Sequence, residues 1–209
     1  MEISTRNLEG LPDIVPLRRL LQSMAMLDAI LEPRQYFRYY LFNAHWGPGE
    51  MMGSMSDGSG DEFSALFNRH GAFLKGFAHE ACAAGIASQH YYRDLPHQFE
   101  PCSREAAFWP DAVSFCVWRF VDQPHWSRSR VALFAGASDG SADILSMLDG
   151  APLTYKAWAK EYYERDVALE AVEHVYQHRP LTQEFVAALN PRQSLERLAS
   201  EIVQIGYPV

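Results

Sequence analysis

Asp57, Asp61, Glu62, His79 and Glu80 have the types and spacing that could do chemistry in this chain. Carboxylates brought beside an imidazole can move protons, hold a divalent metal ion or present negative charge to a basic partner. The plain alternative is that turn-rich sheet ends are acidic for solubility and that His79 only pairs with Asp61. Tight turns are what must bring these residues together. Gly47-Pro48-Gly49, Asp57-Gly58-Ser59-Gly60 and Asn68-Arg69-His70-Gly71 separate the runs Tyr36 to Trp46, Met51 to Ser56, Glu62 to Asn68 and Ala72 to His79. Connections this short join only antiparallel neighbours, so the runs form a four-stranded meander. The second strand then ends, the third begins and the fourth ends on one side, which gathers all five candidates at one edge of the sheet. The opposite edge gathers His45, Glu50, Arg69 and His70, turn residues that are normally solvated.

Asn at the first position and Gly at the fourth predict that the third turn is a type I turn closed by a glycine bulge. That register sets Asn68 opposite Ala72 and Asp61 opposite His79. It also puts Phe63, Phe67, Phe73 and Phe77 on one face, the core side. The first run is dense in rings: Tyr36-Phe37-Arg38-Tyr39-Tyr40, then Phe42 and Trp46. Alternate strand residues face opposite ways, so rings lie on both faces. Either both faces are covered or one keeps an aromatic binding surface.

Leu17, Leu20, Leu21, Met24, Leu27 and Leu31 recur at three- and four-residue steps between Pro16 and Pro33, predicting an N-terminal helix packed on the sheet. Residues 81–112, broken by Pro96, Pro101 and Pro110, read as a long, partly ordered surface excursion. A further strand pair, Ser114 to Asp122 and Val131 to Ala135, extends the sheet through a loop carrying His125, Trp126, Arg128 and Arg130. Ser141 caps a helix running through Ile144, Leu145 and Leu148 to Gly150. The last third is helical: Thr154 to His178 with a break, Thr182 to Leu189 under a Thr182 cap, and Pro191 to Ile205 under an Asn190 cap, stopped by Gly206. The expected class is α+β, an antiparallel sheet with an N-terminal helix and a C-terminal helical segment. With no repeat or linker, residues 1–209 are expected to form one domain.

Gly60-Asp61-Glu62-Phe63 resembles the signature of diguanylate cyclases, but Ser59 replaces its first glycine and no upstream strand carries spaced aspartates. The chain has no HExxH, paired-aspartate metal, Walker, GxSxG or dinucleotide glycine pattern. His174 and His178 share a helix face without the intervening glutamate of a zinc helix and read as a surface pair. Cys82, Cys102 and Cys116 have no CxxC spacing, so neither a disulfide framework nor a zinc site is indicated, and Cys116 reads as a small buried hydrophobe. No metal and no cofactor is expected. A net charge of −8, with only 18 Lys and Arg, disfavours nucleic acid as a partner. No apolar run approaches the ~18 residues of a membrane span, and no basic-then-apolar leader follows Met1. The expected address is the cytoplasm. Nothing in the pattern specifies an oligomer.

Phe42-Asn43-Ala44-His45-Trp46, Gly53-Ser54-Met55, Gly58-Ser59-Gly60-Asp61-Glu62, Leu66-Phe67-Asn68 and the run from Gly71 to Glu80 resemble a family of bacterial proteins of unknown function. So do Pro180-Leu181-Thr182, Leu189-Asn190-Pro191 and Ile205-Gly206-Tyr207-Pro208. The resemblance spans most of the chain except 81–112 and transfers no catalytic residues. In type, the chain is similar to the small acidic α+β immunity proteins that neutralise secreted bacterial toxins. The expected function is a non-enzymatic bacterial binding protein of immunity type. Its acidic edge of Asp57, Asp61, Glu62, His79 and Glu80, with nearby aromatics, would engage a basic or polar protein partner. The alternative is a small metal-dependent or acid–base enzyme with its site at the Asp61/His79 edge.

Overall fold

The apolar stripe from Leu17 to Leu31 folds as α1 (Ile14–Leu31) in the computed structural model, which describes residues 2–208. Every residue from 20 to 31 is buried, so α1 is a central helix and not a one-sided one. It packs against both the sheet and the C-terminal helices. β1 (Tyr40–Gly47), β2 (Glu50–Ser56), β3 (Glu62–Asn68) and β4 (Gly71–Phe77) form the meander. β5 (Phe115–Phe120) and β6 (Ser127–Arg128) extend it to a six-stranded antiparallel sheet in chain order. The first run is shorter than its composition implies, because Gln35–Phe37 forms a 3₁₀ turn. The sixth strand also falls earlier than 131–135. Ser127 and Arg128 pair with Trp118 and Val117, while Val131 and Leu133 pack against a second core.

The third turn is one residue tighter than the bulge register. Asn68 pairs with Gly71 across Arg69-His70, so Phe67 faces Ala72 and Phe63 faces Gly76. Gly71 is a ladder residue at φ 150°, where a Cβ would lie 2.0 Å from the Arg119 carbonyl oxygen of β5. Its glycine serves that close approach, not a bulge. A one-residue shift moves a strand's side chains to the other face. Phe63 and Phe67 therefore face α1 in the main core, whereas Phe73 faces away from it into the second core. The four phenylalanines do not share a face.

The second core is what residues 81–112 cover. The segment is not a loose excursion: it folds as 3₁₀ turns and one helical turn, α2 (Gln89–Tyr92). It buries Tyr91, Phe99, Cys102 and Phe108 over Leu66, Phe73, Cys116 and Trp118. Pro101 sits in the first turn of a 3₁₀ segment, Glu100–Arg104, instead of breaking order. Lys75 of β4, fully buried, donates to the carbonyls of Phe108, Trp109 and Ala112 and lies 3.7 Å from Glu62. Burial pushes its amine down to about 8. Cys116 is buried among these residues as a small hydrophobe, its thiol pushed up to about 12.

α3 (Ser141–Leu145) starts from Gly140. Ser141 does not cap it, because its hydroxyl bonds Asp139 and accepts the Thr5 N–H. The expected long helix divides into α4 (Pro152–Tyr162) and α5 (Leu169–Tyr176). α6 (Gln183–Leu189) is capped by Thr182, which accepts the Phe185 N–H at 3.1 Å. α7 (Leu195–Ile205) begins at Ser194 and ends on left-handed Gly206. Asn190 does not cap α7, which starts only at Leu195: its Oδ1 accepts the Arg192 N–H at 3.2 Å in a local turn, while its amide nitrogen donates to the Ile30 and Leu31 carbonyls at the end of α1. Among the described residues no helix is long and apolar enough to cross a membrane.

Phe67 is 4% exposed and its ring lies 6.2 Å from that of Phe42. Phe67→Ala is expected to cost about 3–5 kcal/mol, read as a large drop in melting temperature. A variant that melts like the wild type would show that this face is surface.

Candidate functional site

Asp57 organises the acidic edge. Its carboxylate accepts from the amides of Ser59 at 2.8 Å and of Gly60 and Asp61 at 3.0 Å, and from the Ser59 hydroxyl. Partial burial opposes ionisation, but these hydrogen bonds outweigh it and hold the carboxyl below its usual range. Gly60 has φ 127°, and a Cβ there would lie 3.0 Å from the His79 ring, so the absent side chain lets the imidazole rest on the turn. Asp61 Oδ1 accepts the His79 backbone N–H at 2.9 Å and stands 2.7 Å from His79 Nδ1. The ladder pairs Glu62 with Phe77, so the Asp61 side chain reaches one residue beyond its own register to make this contact. The hydrogen bond, and then the Asp61 charge, raise the His79 pKa above the ordinary histidine value. Glu80, largely exposed, lies 3.7 Å from His79 Nε2.

Glu62 leaves this group. It lies on the face of the second core, where burial raises its carboxyl and Lys75 opposes the rise. The edge therefore brings together Asp57, Asp61, His79 and Glu80 and separates Glu62 from them. Among the described residues no three His, Cys, Asp or Glu side chains are grouped to hold one metal ion. The oriented imidazole can exchange a proton, and the carboxylates can receive a cation.

Behind the edge lies a group that the sequence pattern did not reveal. Asp28 of α1 is completely buried and accepts from the Tyr39 amide at 3.0 Å, the Tyr40 amide at 2.8 Å and the Tyr155 hydroxyl at 2.6 Å. Burial pushes its carboxyl up to about 6 against these bonds. Rings surround it: Tyr39 lies 4.8 Å from Trp158 and 5.2 Å from Tyr162, and Trp158 stacks on Tyr162 at 5.0 Å. The cluster adjoins the acidic turn, since the Ser56 amide donates to the Tyr39 carbonyl. Burial, then the charges of Asp57 and Asp61, push the Tyr39 hydroxyl up to about 12. Burial, then Asp28 and Asp57, raise Tyr162 as well. Two signals could have pointed here, a lone carboxylate inside the apolar stretch Met24 to Leu31 and the four-residue step from Trp158 to Tyr162.

The remaining histidines are apart. His174 faces the Pro180 carbonyl, and His178 faces the Arg19 carbonyl. At the opposite edge Arg69 donates to His70, while His45 turns to the Val203 carbonyl. Compared with known proteins, the chain matches no family model, no curated protein and no solved structure. Function is therefore inferred from the site's own geometry.

Asp61→Asn is expected to lower the His79 pKa toward the ordinary value in an NMR titration of its ring protons. An unchanged titration would mean that the pair does not set the imidazole's charge. Asp28 makes a second prediction. A carboxyl raised from 3.8 to about 6 makes the native state hold its proton more tightly than the unfolded chain does. Its stabilising effect is full below 3.8 and is lost as pH rises through 6. The size is on the order of 3 kcal/mol. Asn can accept both amides and donate to Tyr155, so Asp28→Asn should remove this component from denaturant unfolding compared at about pH 4 and about pH 8. Parallel loss of stability in variant and wild type would refute it.

Proposed function

We propose that this protein is a non-enzymatic binding protein whose acidic edge and adjoining rings receive a basic segment of a protein partner. The observation that carries this is the junction of the two surfaces: the amide of Ser56, next to Asp57 in the chain, donates to the Tyr39 carbonyl at 3.0 Å, and Tyr39 packs 5.2 Å from Tyr162. A cation entering there would meet carboxylates on one side and ring faces on the other. Tyr162 is 40% exposed and Tyr36, near the start of β1, is 91% exposed, as aromatic anchors of an interface must be. Phe37, in the turn before β1 and 5.2 Å from Tyr36, already takes a guanidinium within the chain, with Arg34 lying 4.3 Å over its ring. A net charge of −8 would steer a basic partner toward the molecule. A bacterial immunity protein that covers the basic site of a toxin is the role this surface fits, by analogy of type. Buried free Cys102 and Cys116 suit a reducing cytoplasm.

The 2.7 Å contact between Asp61 and His79 favours a second reading, an acid–base enzyme in which His79 moves a proton beside Glu80. Immobilised wild-type protein and its Tyr162→Leu and Asp61→Asn variants, offered extract of the source cells, separate the two. Binding predicts a basic protein held by the wild type, released as salt screens the charges and lost from both variants, which should keep the wild-type circular dichroism. No retained protein, or equal retention by the variants, would sink it.

A further inference from the structure

The loop that carries Trp126, Arg128 and Arg130 plays no part in the acidic edge, yet it forms one wall of an open cleft of about 680 Å³. The other wall is the N-terminal hook. Ser4 and Asn7 exchange backbone hydrogen bonds, the Thr5 amide is held by the Ser141 hydroxyl at 2.9 Å, and Arg6 donates to the Ala137 carbonyl at 2.6 Å. Pairing of Ser127 with Trp118 and of Arg128 with Val117 fixes the first wall. The Trp126 indole is anchored on the Pro12 carbonyl at 3.0 Å. Both walls are thus tied to the rest of the fold.

Arg6, Arg128 and Arg130 all line this cleft, and among the described residues Asp94 is the only carboxylate that does. The lining therefore carries a net of two positive charges within a chain whose net charge is −8. Among the described residues none of these three arginines is in an ion pair, although acids outnumber bases in the chain by 26 to 18. Arg128 and Arg130 are exposed and keep most of their donors free. Guanidinium forks match the oxygens of phosphate in geometry and charge. A phosphate monoester carries nearly two negative charges near neutral pH, equal to the excess here, whereas a carboxylate would leave one positive charge unmatched. A bare phosphate would fill only part of the space. The remainder is lined by Trp118, Trp126 and Leu8, which can take an apolar or ring-bearing body.

We infer that this cleft is a binding site for a small phosphate monoester, with Arg6, Arg128 and Arg130 on the phosphate and the two tryptophans against the rest of the molecule. The inference is independent of the acidic edge and its partner. It is tested on the whole chain with adenosine 5′-monophosphate, glucose 6-phosphate, inorganic phosphate and uncharged adenosine, by calorimetry and by tryptophan fluorescence. At least one monoester should bind and change the fluorescence more than inorganic phosphate does, and adenosine should bind far more weakly than its monophosphate. Arg128→Gln with Arg130→Gln should weaken that binding at least about tenfold, the loss of charge-assisted hydrogen bonds, while the melting temperature without ligand stays unchanged. Asp94→Asn should bind as well as the wild type or better. Failure of both monoesters to bind at millimolar concentration would overturn the assignment. So would equal binding by the double variant, or equal binding of adenosine and its monophosphate.

Discussion

Burying an ionisable carboxyl is among the costliest things a small protein can do, and the helical half of this molecule is arranged around one. Asp28 sits in the central helix with no access to water, where an unpaired carboxylate would be intolerable. Its partners come from two other parts of the chain, the amides of Tyr39 and Tyr40 and the hydroxyl of Tyr155 on α4. β1 is an edge strand, and Asp28 satisfies amides at its start from outside the sheet. The same carboxyl fixes the rotation of α4 and so places Trp158 and Tyr162 beside Tyr39. The aromatic part of the candidate surface follows from that.

The opposite face of the sheet uses a charge of the other sign. Lys75 points away from α1 and binds three carbonyls of the covering segment, with Glu62 completing its surroundings. Apolar packing alone favours burial without fixing one geometry, whereas a buried ion must find its own donors or acceptors. One ion on each face therefore ties a layer to the sheet in a fixed position. The near-continuous burial of β3 and β4 is what a sheet covered on both faces requires.

What was legible in the sequence was what local chemistry decides. Turn residues bounded β3, the apolar spacing located α1, and Thr182 and Gly206 marked helix ends. What was not legible depended on distant residues. Gly71 looks like a bulge glycine until the Arg119 carbonyl of β5 is seen to need the space. Ser141 and Asn190 have cap chemistry, but the Ser141 hydroxyl serves Thr5 and Asp139, while Asn190 accepts the Arg192 N–H in a local turn and donates to the end of α1. Residues 81–112 gave no period because 3₁₀ turns repeat too briefly to show one. Of the candidate site, meander topology brought Asp61 and His79 to one edge, but the bulge register that set them opposite each other does not hold, and they meet because the Asp61 side chain reaches one residue past its own ladder position. The departure of Glu62 follows from a rule the sequence already contained, that neighbouring strand residues face opposite ways.

A sheet also explains how one acidic chain can hold surfaces of both signs. The acidic edge is built where β2, β3 and β4 start and end, and the arginine cleft is built on β5 and β6 with the N-terminal hook. Different strands carry them, so a change in one loop need not disturb the other. Attraction between exposed charges fades over roughly 8–10 Å at ordinary salt, which lets each surface answer to its nearest ligand instead of to the net charge. Three arginines that make no ion pair among the described residues, with Asp94 beside them in the cleft, are then a local property of a chain rich in carboxylates, kept by the walls that hold them, and not a contradiction of the composition.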